Sequence, residues 1–477
     1  MSQVFSRRNL LVGAGVVAVG TGVTYYLNQG GNKVGSFTQP EVLASNNGVL
    51  EATLELATVS KQLGNAKVNM LSYNGTVPGP TIKVRPGDKV KLKLTNNLNQ
   101  DTNLHTHGLF VHPNANSDNP FIHVMAGESF DYEFDIPADH AEGTHWYHPH
   151  LHGQVANQVF GGLYGAIVVE DDTTPKVSED RVLVISDASF DSSGNLAEAN
   201  MMGLMMGREG DYVMVNGEIQ PQGKTKKQAV ERWRIVNACV ARYLALQVVG
   251  GEAKLLGLDG HKLAEAEDLQ NRVLAPGNRA DVLVTVNTDK VSLIYNTVAH
   301  PDAGMMGMSS KEYTDYPLVT FIAEGAATVI AAEVKFQPLP DLRKSSVSTR
   351  RKFTLAMPNH AMVMGAATME GMFTINGEAF SHDKVNTTVS NNTVEEWSIV
   401  NTSTMQHPFH LHIWPMQLIS VNGEEVSTLR HQDIVTVPAN GNIVVRVNFH
   451  THTGKTLYHC HILDHEDLGM MGVIESV

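Results

Sequence analysis

From residue 45 onward the chain alternates apolar and polar residues in short runs such as Lys89-Val-Lys-Leu-Lys-Leu, Gly127-Glu-Ser-Phe-Asp-Tyr-Glu-Phe and Gly441-Asn-Ile-Val-Val-Arg-Val. A period of two sends successive side chains to opposite faces, so these runs predict strands with one buried face. Gly, Pro and Asn separate the runs, and no long stretch carries the 3.6-residue period of an amphipathic helix. The pattern predicts an all-β protein built of sandwiches.

The pattern also repeats. Asn74-Gly75, Asn216-Gly217 and Asn376-Gly377 each open a segment with a strand (Lys89-Val-Lys-Leu-Lys-Leu, Glu231-Arg-Trp-Arg-Ile-Val, Glu396-Trp-Ser-Ile-Val) that ends near an Asn. An alternating triplet follows in each: His105-Thr-His107, Leu244-Ala-Leu246 and His410-Leu-His412. Three copies of one sandwich explain this most simply. Linker-like Asp171-Asp-Thr-Thr-Pro and Pro338-Leu-Pro-Asp-Leu place the units at 45–172, 173–340 and 341–477. The middle copy has Leu where the others have His and is expected to be a ligand-free spacer. Residues 1–44 are expected to lie outside the fold: Arg7-Arg8 ahead of the uncharged run Leu10 to Leu27 reads as a twin-arginine export signal plus linker. The body is then exported, to the periplasm, and touches a membrane only if that signal is retained as an anchor.

Composition narrows the chemistry. The 477 residues include 22 His and 20 Met but only 2 Cys, with a formal net charge of -14. Two cysteines exclude a disulfide framework and a four-Cys zinc or iron–sulfur site. The acidic balance offers nothing to nucleic acid. The histidines are clustered: nine lie in His105–His152 and nine in His407–His465. Dispersed surface histidine has no reason to gather this way.

Residues i and i+2 of a strand share a face, so each H-x-H offers two imidazoles side by side. Such pairs occur at His105/His107, His148/His150, His410/His412 and His459/His461. Eight convergent imidazoles exceed the needs of one ion and predict a multi-metal cluster between the first and third units. In His459-Cys460-His461 the same alternation turns Cys460 to the other face, toward a second metal. With His407, His465 and Met470 nearby, it completes the two-His, one-Cys, axial-Met set of a blue-copper electron-transfer centre. A nucleophilic Cys is the competing reading, but it leaves the Met and the paired imidazoles unexplained.

His105-Thr-His107-Gly, His148-Pro-His150, His407-Pro-Phe-His410-Leu-His412 and His459-Cys460-His461-Ile-Leu-Asp-His465-Glu-Asp-Leu-Gly-Met470 resemble, in order, the four copper motifs of three-domain multicopper oxidases, either laccase-like or cuprous-oxidase-like. The resemblance implies three cupredoxin-like Greek-key β-sandwich domains and four copper ions. Carried over by position, type 1 copper takes His407, Cys460, His465 and Met470, and type 2 takes His105 and His410. The type 3 pair takes His107, His148, His150, His412, His459 and His461. Electrons cross from Cys460 to His459 and His461, and Glu466 and Asp118 match the acids of a proton relay; a plain turn role is the alternative for Asp118. His112, His123, His140, His145, His152, His431, His450 and His452 stay outside the ligand set.

The implied partners are O2 and a reducing substrate, which is Cu(I), Fe(II) or a phenol, acting on a monomer. Met357, Met362, Met364, Met369 and Met372 form a thioether-rich segment expected to capture Cu(I). Met201, Met202, Met205 and Met206 read instead as core or adaptable surface. A broad phenol-oxidising laccase is the alternative for the activity, and an exported non-catalytic scaffold of the same fold is a weaker one.

Overall fold

The computed structural model describes residues 35–298, 313–327, 334–336, 338–358, 369 and 371–477. Its strands form sheets that pair off along the chain. Strands within Val42–Val169 make a five-stranded and a four-stranded sheet, those within Glu179–Ala326 a six- and a five-stranded sheet, and those within Thr349–Ser476 a seven- and a five-stranded sheet. Burial follows the two-residue period: Lys89–Asn96 and Asn442–Phe449 bury every second side chain. Leu54, Leu92 and Leu94 fill the first core, Trp233, Leu244 and Leu246 the second, and Trp397, Phe409 and Ile443 the third. Each such side chain contributes about 1.5–3 kcal/mol by leaving water.

The repeat is physical as well as textual. In all three Asn-Gly pairs both residues have positive φ (51° and 75°, 49° and 74°, 57° and 77°), the backbone of a tight primed turn. Each turn Asn then accepts a backbone N–H from a neighbouring strand: Glu55, Val184 and Thr354. The Asn ending each repeated strand is likewise an anchor, with Asn96, Asn237 and Asn401 donating to the carbonyls of Gln100, Arg242 and Met405 in the following loops. Leu244 and Leu246 are fully buried in the middle core, so the positions that present imidazole in the outer units serve packing here.

One boundary differs from the sequence expectation. Residues 36–44 belong to the fold: Ser36 bridges Gln222, Phe37 packs edge-on against Phe321 at 4.9 Å, and Val42–Ala44 pairs in parallel with Thr81–Val84. This segment first crosses the middle sandwich and then becomes an edge strand of the first, too short to show an alternating signal. Arg7, Arg8 and the apolar run lie outside the described residues, as do Met362 and Met364.

Candidate copper centres

Strand register delivers the histidines. His105–His107 pairs antiparallel with Gly143–His148, placing His105 opposite His148. His407–Leu411 pairs with Gly454–Cys460, placing His410 opposite His459 and Phe409 opposite Cys460. The two strand pairs face each other, so rings from the first and third sandwiches stack: His105 on His412 at 4.0 Å and His107 on His410 at 3.9 Å. The H-x-H residues are all buried, at 2 % exposure or less. Nε2 of His150, His412 and His459 form a triangle with sides of 3.1, 3.2 and 3.2 Å. His461 lies beside His107 and His148, with ring centroids 5.0 and 5.8 Å away.

Outward bonds decide which nitrogen points in. His105 holds Asp118 through Nδ1 (3.0 and 3.1 Å) and His410 holds the Asp433 carbonyl through Nδ1 (2.8 Å), leaving both Nε2 atoms buried without a protein partner. His107 is reversed. Its Nε2 meets Asp433 Oδ1 at 3.3 Å, and its Nδ1 turns inward, 3.4 Å from His148 Nε2. Burial, reinforced by neighbouring imidazoles, pushes His107, His148, His410, His412 and His461 well below the ordinary histidine range and takes His150 down to about 3, so these rings are neutral near pH 7. Neutral rings whose lone pairs converge in a dry space call for cations, and imidazole suits copper.

On the other face of Gly454–Cys460, Cys460 Sγ lies 3.4 Å from His407 Nδ1 and 3.8 Å from His465 Nδ1. The outer nitrogens are engaged, His407 Nε2 with Ser403 Oγ (2.7 Å) and His465 Nε2 with the Met205 carbonyl (3.1 Å). Phe373 stacks on His465 at 4.5 Å, and Met470 is fully buried in the same core, its carbonyl accepting the Cys460 N–H at 3.0 Å. Burial pushes the Cys460 thiol up, so a thiolate here requires a bound cation.

Asp118 is no mere turn residue: it is 3 % exposed and receives both His105 and the Thr106 N–H. Glu466 is fully buried, 3.0 Å from His459 Nδ1 and 3.5 Å from His150 Nε2. Met357 and Met372 are half-buried against the core that holds Cys460, and so are Met202 and Met206 of the short helix Met201–Met206. Met369 belongs to that core itself, at 4 % exposure. Sequence reasoning missed Ser403, Asp433, Arg279 and the Met205 carbonyl, none of which has a spacing signature.

A buried thiol flanked by two imidazoles, one strand residue away from an all-imidazole cluster, is a donor set suited to copper. Multicopper oxidase family models match residues 56–174 and 352–477. A multicopper oxidase of Staphylococcus aureus is 30% identical over 94% of this chain and 93% of its own length. The structure of a Campylobacter jejuni multicopper oxidase, described as a metallo-oxidase, is 30% identical with a TM-score of 0.82, covering 93% of this chain and 96% of that one. A laccase of Bacillus subtilis is 24% identical, covering 88% of this chain and 93% of its own length. The chain belongs to the multicopper oxidase family, with cupredoxin-like sandwiches, copper as cofactor and O2 and a reducing substrate as reactants.

Proposed function

We propose that the chain holds four coppers and oxidises cuprous ion. His407, Cys460, His465 and Met470 are assigned to type 1, and His105 and His410 to type 2. The type 3 pair falls to His107, His148 and His461 on one side and His150, His412 and His459 on the other. The observation that carries the metal assignment is the Nε2 triangle, which fits one ion: a point equidistant from its corners is about 1.8 Å from each, near the roughly 2.0 Å of a metal–imidazole bond. When bound, the coppers accept electrons singly from substrate and return four of them to dioxygen, which becomes two waters.

The protein's own residues do the rest. Cys460 faces one centre while its neighbours His459 and His461 face the other, so a single stretch of strand backbone is the electron path. Protons must reach a dry cluster, and Glu466 touches two of its ligands with no exposed surface; it is assigned to deliver them, with Asp118 on the His105 side. Glu466→Gln should therefore keep the blue absorption while slowing O2 reduction about 10²-fold or more, the scale of one proton-transfer group. Unchanged reoxidation of the reduced enzyme by O2 in stopped flow would remove Glu466 from the relay.

Cuprous ion is favoured as substrate because thioethers suit Cu(I) and Met202, Met206, Met357 and Met372 all pack against the core that holds Cys460. The Campylobacter relative's description as a metallo-oxidase points the same way. Replacing Met357 and Met372 together by Leu, which preserves volume, should raise KM for Cu(I) about tenfold and leave phenol turnover near wild type. Equal loss on Cu(I), Fe(II) and a phenol would favour the laccase reading. Export through the twin-arginine pathway to the periplasm, motivated by Arg7-Arg8, and a monomeric state complete the proposal; cell fractionation and light scattering test them.

A further inference from the structure

The middle sandwich contributes no copper ligand to this assignment, yet its segment 277–279 presses on the cluster. Arg279 is fully buried and grips Asp433 of the third sandwich with two parallel bonds, Nη1 to Oδ1 at 2.8 Å and Nη2 to Oδ2 at 2.5 Å. Asp433 in turn meets His107 Nε2 through Oδ1 and His410 Nδ1 through its carbonyl. It thus touches a ring from each outer sandwich. Two glycines show how tightly this corner is packed. A Cβ on Gly108, directly after His107, would lie 2.3 Å from Arg279 Nη2 and 2.5 Å from Asp433 Oδ2. A Cβ on Gly277 would lie 2.7 Å from the His461 ring. Asp259, also from the middle sandwich, accepts the Arg279 N–H at 2.9 Å and fixes where that side chain starts.

We propose that Arg279 is a positioning residue for the cluster: through Asp433 it holds His107 with Nδ1 inward, and with Gly277 it sets the wall against which His107 and His461 are placed. A planar guanidinium fork matches a carboxylate at two points and resists rotation, which a lysine ammonium does not. The middle sandwich is thereby part of the oxygen-reducing machinery, although it shares no ligand with it. The proposal rests on the copper assignment above.

The test is Arg279→Gln, Arg279→Lys and Asp433→Asn in the full-length, copper-loaded enzyme. Arg279→Gln should keep the blue absorption, alter the type 2 EPR signal, weaken the type 3 absorption and lower turnover roughly 10- to 100-fold, the range for outer-shell partners of metal ligands. Arg279→Lys, with the charge but not the fork, should fall between it and wild type. Asp433→Asn, nearly isosteric and still carrying the carbonyl that holds His410, should reproduce the spectral change if Arg279→Gln does not fold. Wild-type type 2 and type 3 signatures in Arg279→Gln would overturn the proposal. So would a parallel loss of the blue absorption and of the copper-free protein's melting temperature, since that marks a purely structural role. Absence of type 2 and type 3 signals from wild type would instead refute the copper assignment.

Discussion

Cys460→Ser is expected to give a colourless protein whose oxidase activity falls to background with every reducing substrate. Sγ sits 3.4 Å and 3.8 Å from two Nδ1 atoms whose rings are tied from behind by Ser403 and the Met205 carbonyl, so ligand geometry is fixed by groups the substitution does not touch. What changes is the donor. A thiolate is soft and gives the intense charge-transfer colour, whereas a serine hydroxyl is hard and stays protonated in a pocket that already pushes a thiol upward. The loss is larger than for an ordinary ligand because Cys460 is also the covalent link to His459 and His461. Cluster copper should remain, because none of its assigned ligands is altered and the two faces of the strand are packed separately. Visible absorption, copper per chain by mass spectrometry and Cu(I)- or phenol-driven oxygen uptake decide it; a blue serine variant, or one that turns over, would refute the role of Cys460.

The histidine pairs were legible in the sequence because strand geometry converts a spacing of two into a shared face without any knowledge of the fold. Cys460 was legible for the same reason, since one residue of offset means the opposite face. Ring polarity was not. Whether His107 presents Nδ1 or Nε2 depends on Asp433, 326 residues away along the chain, and Asp433 depends on Arg279 in another sandwich. Met202, Met206, Met357 and Met372 read as two unrelated stretches because only the packing of the second sandwich against the third brings them to one core. In sequence Met201–Met206 reads as core or adaptable surface, and the helix is both, with Met205 at 4 % exposure and Met201 at 42 %. The place of residues 36–44 in the fold was hidden because Val42–Ala44 has three residues, fewer than an alternating pattern needs to be recognised.

Copper removal should lower thermal stability by roughly 10 °C or more, and selectively. An ion held at a thousand times its Kd stabilises the native state by about 4 kcal/mol, and one kcal/mol corresponds to about 2–4 °C in a domain of 150–250 residues. The reason lies in what the copper-free protein must keep buried. His105 and His410 each leave an Nε2 without a protein partner, His461 leaves both nitrogens so, and three Nε2 atoms meet within 3.2 Å. An unsatisfied buried polar atom costs about 1–3 kcal/mol, and at His410 and His461 protonation cannot relieve it because burial keeps those two rings neutral. The cost falls on the face between the first and third sandwiches, where His105 stacks on His412 and His107 on His410. The middle core, built on Trp233, Leu244 and Leu246, holds none of the assigned copper ligands. Calorimetry of copper-loaded and chelator-stripped protein should therefore show the transition of the outer sandwiches moving down while that of the middle sandwich moves less, and reconstitution with copper should restore both. Superimposable traces would mean that the cluster is satisfied without metal, and the copper assignment would fall with them.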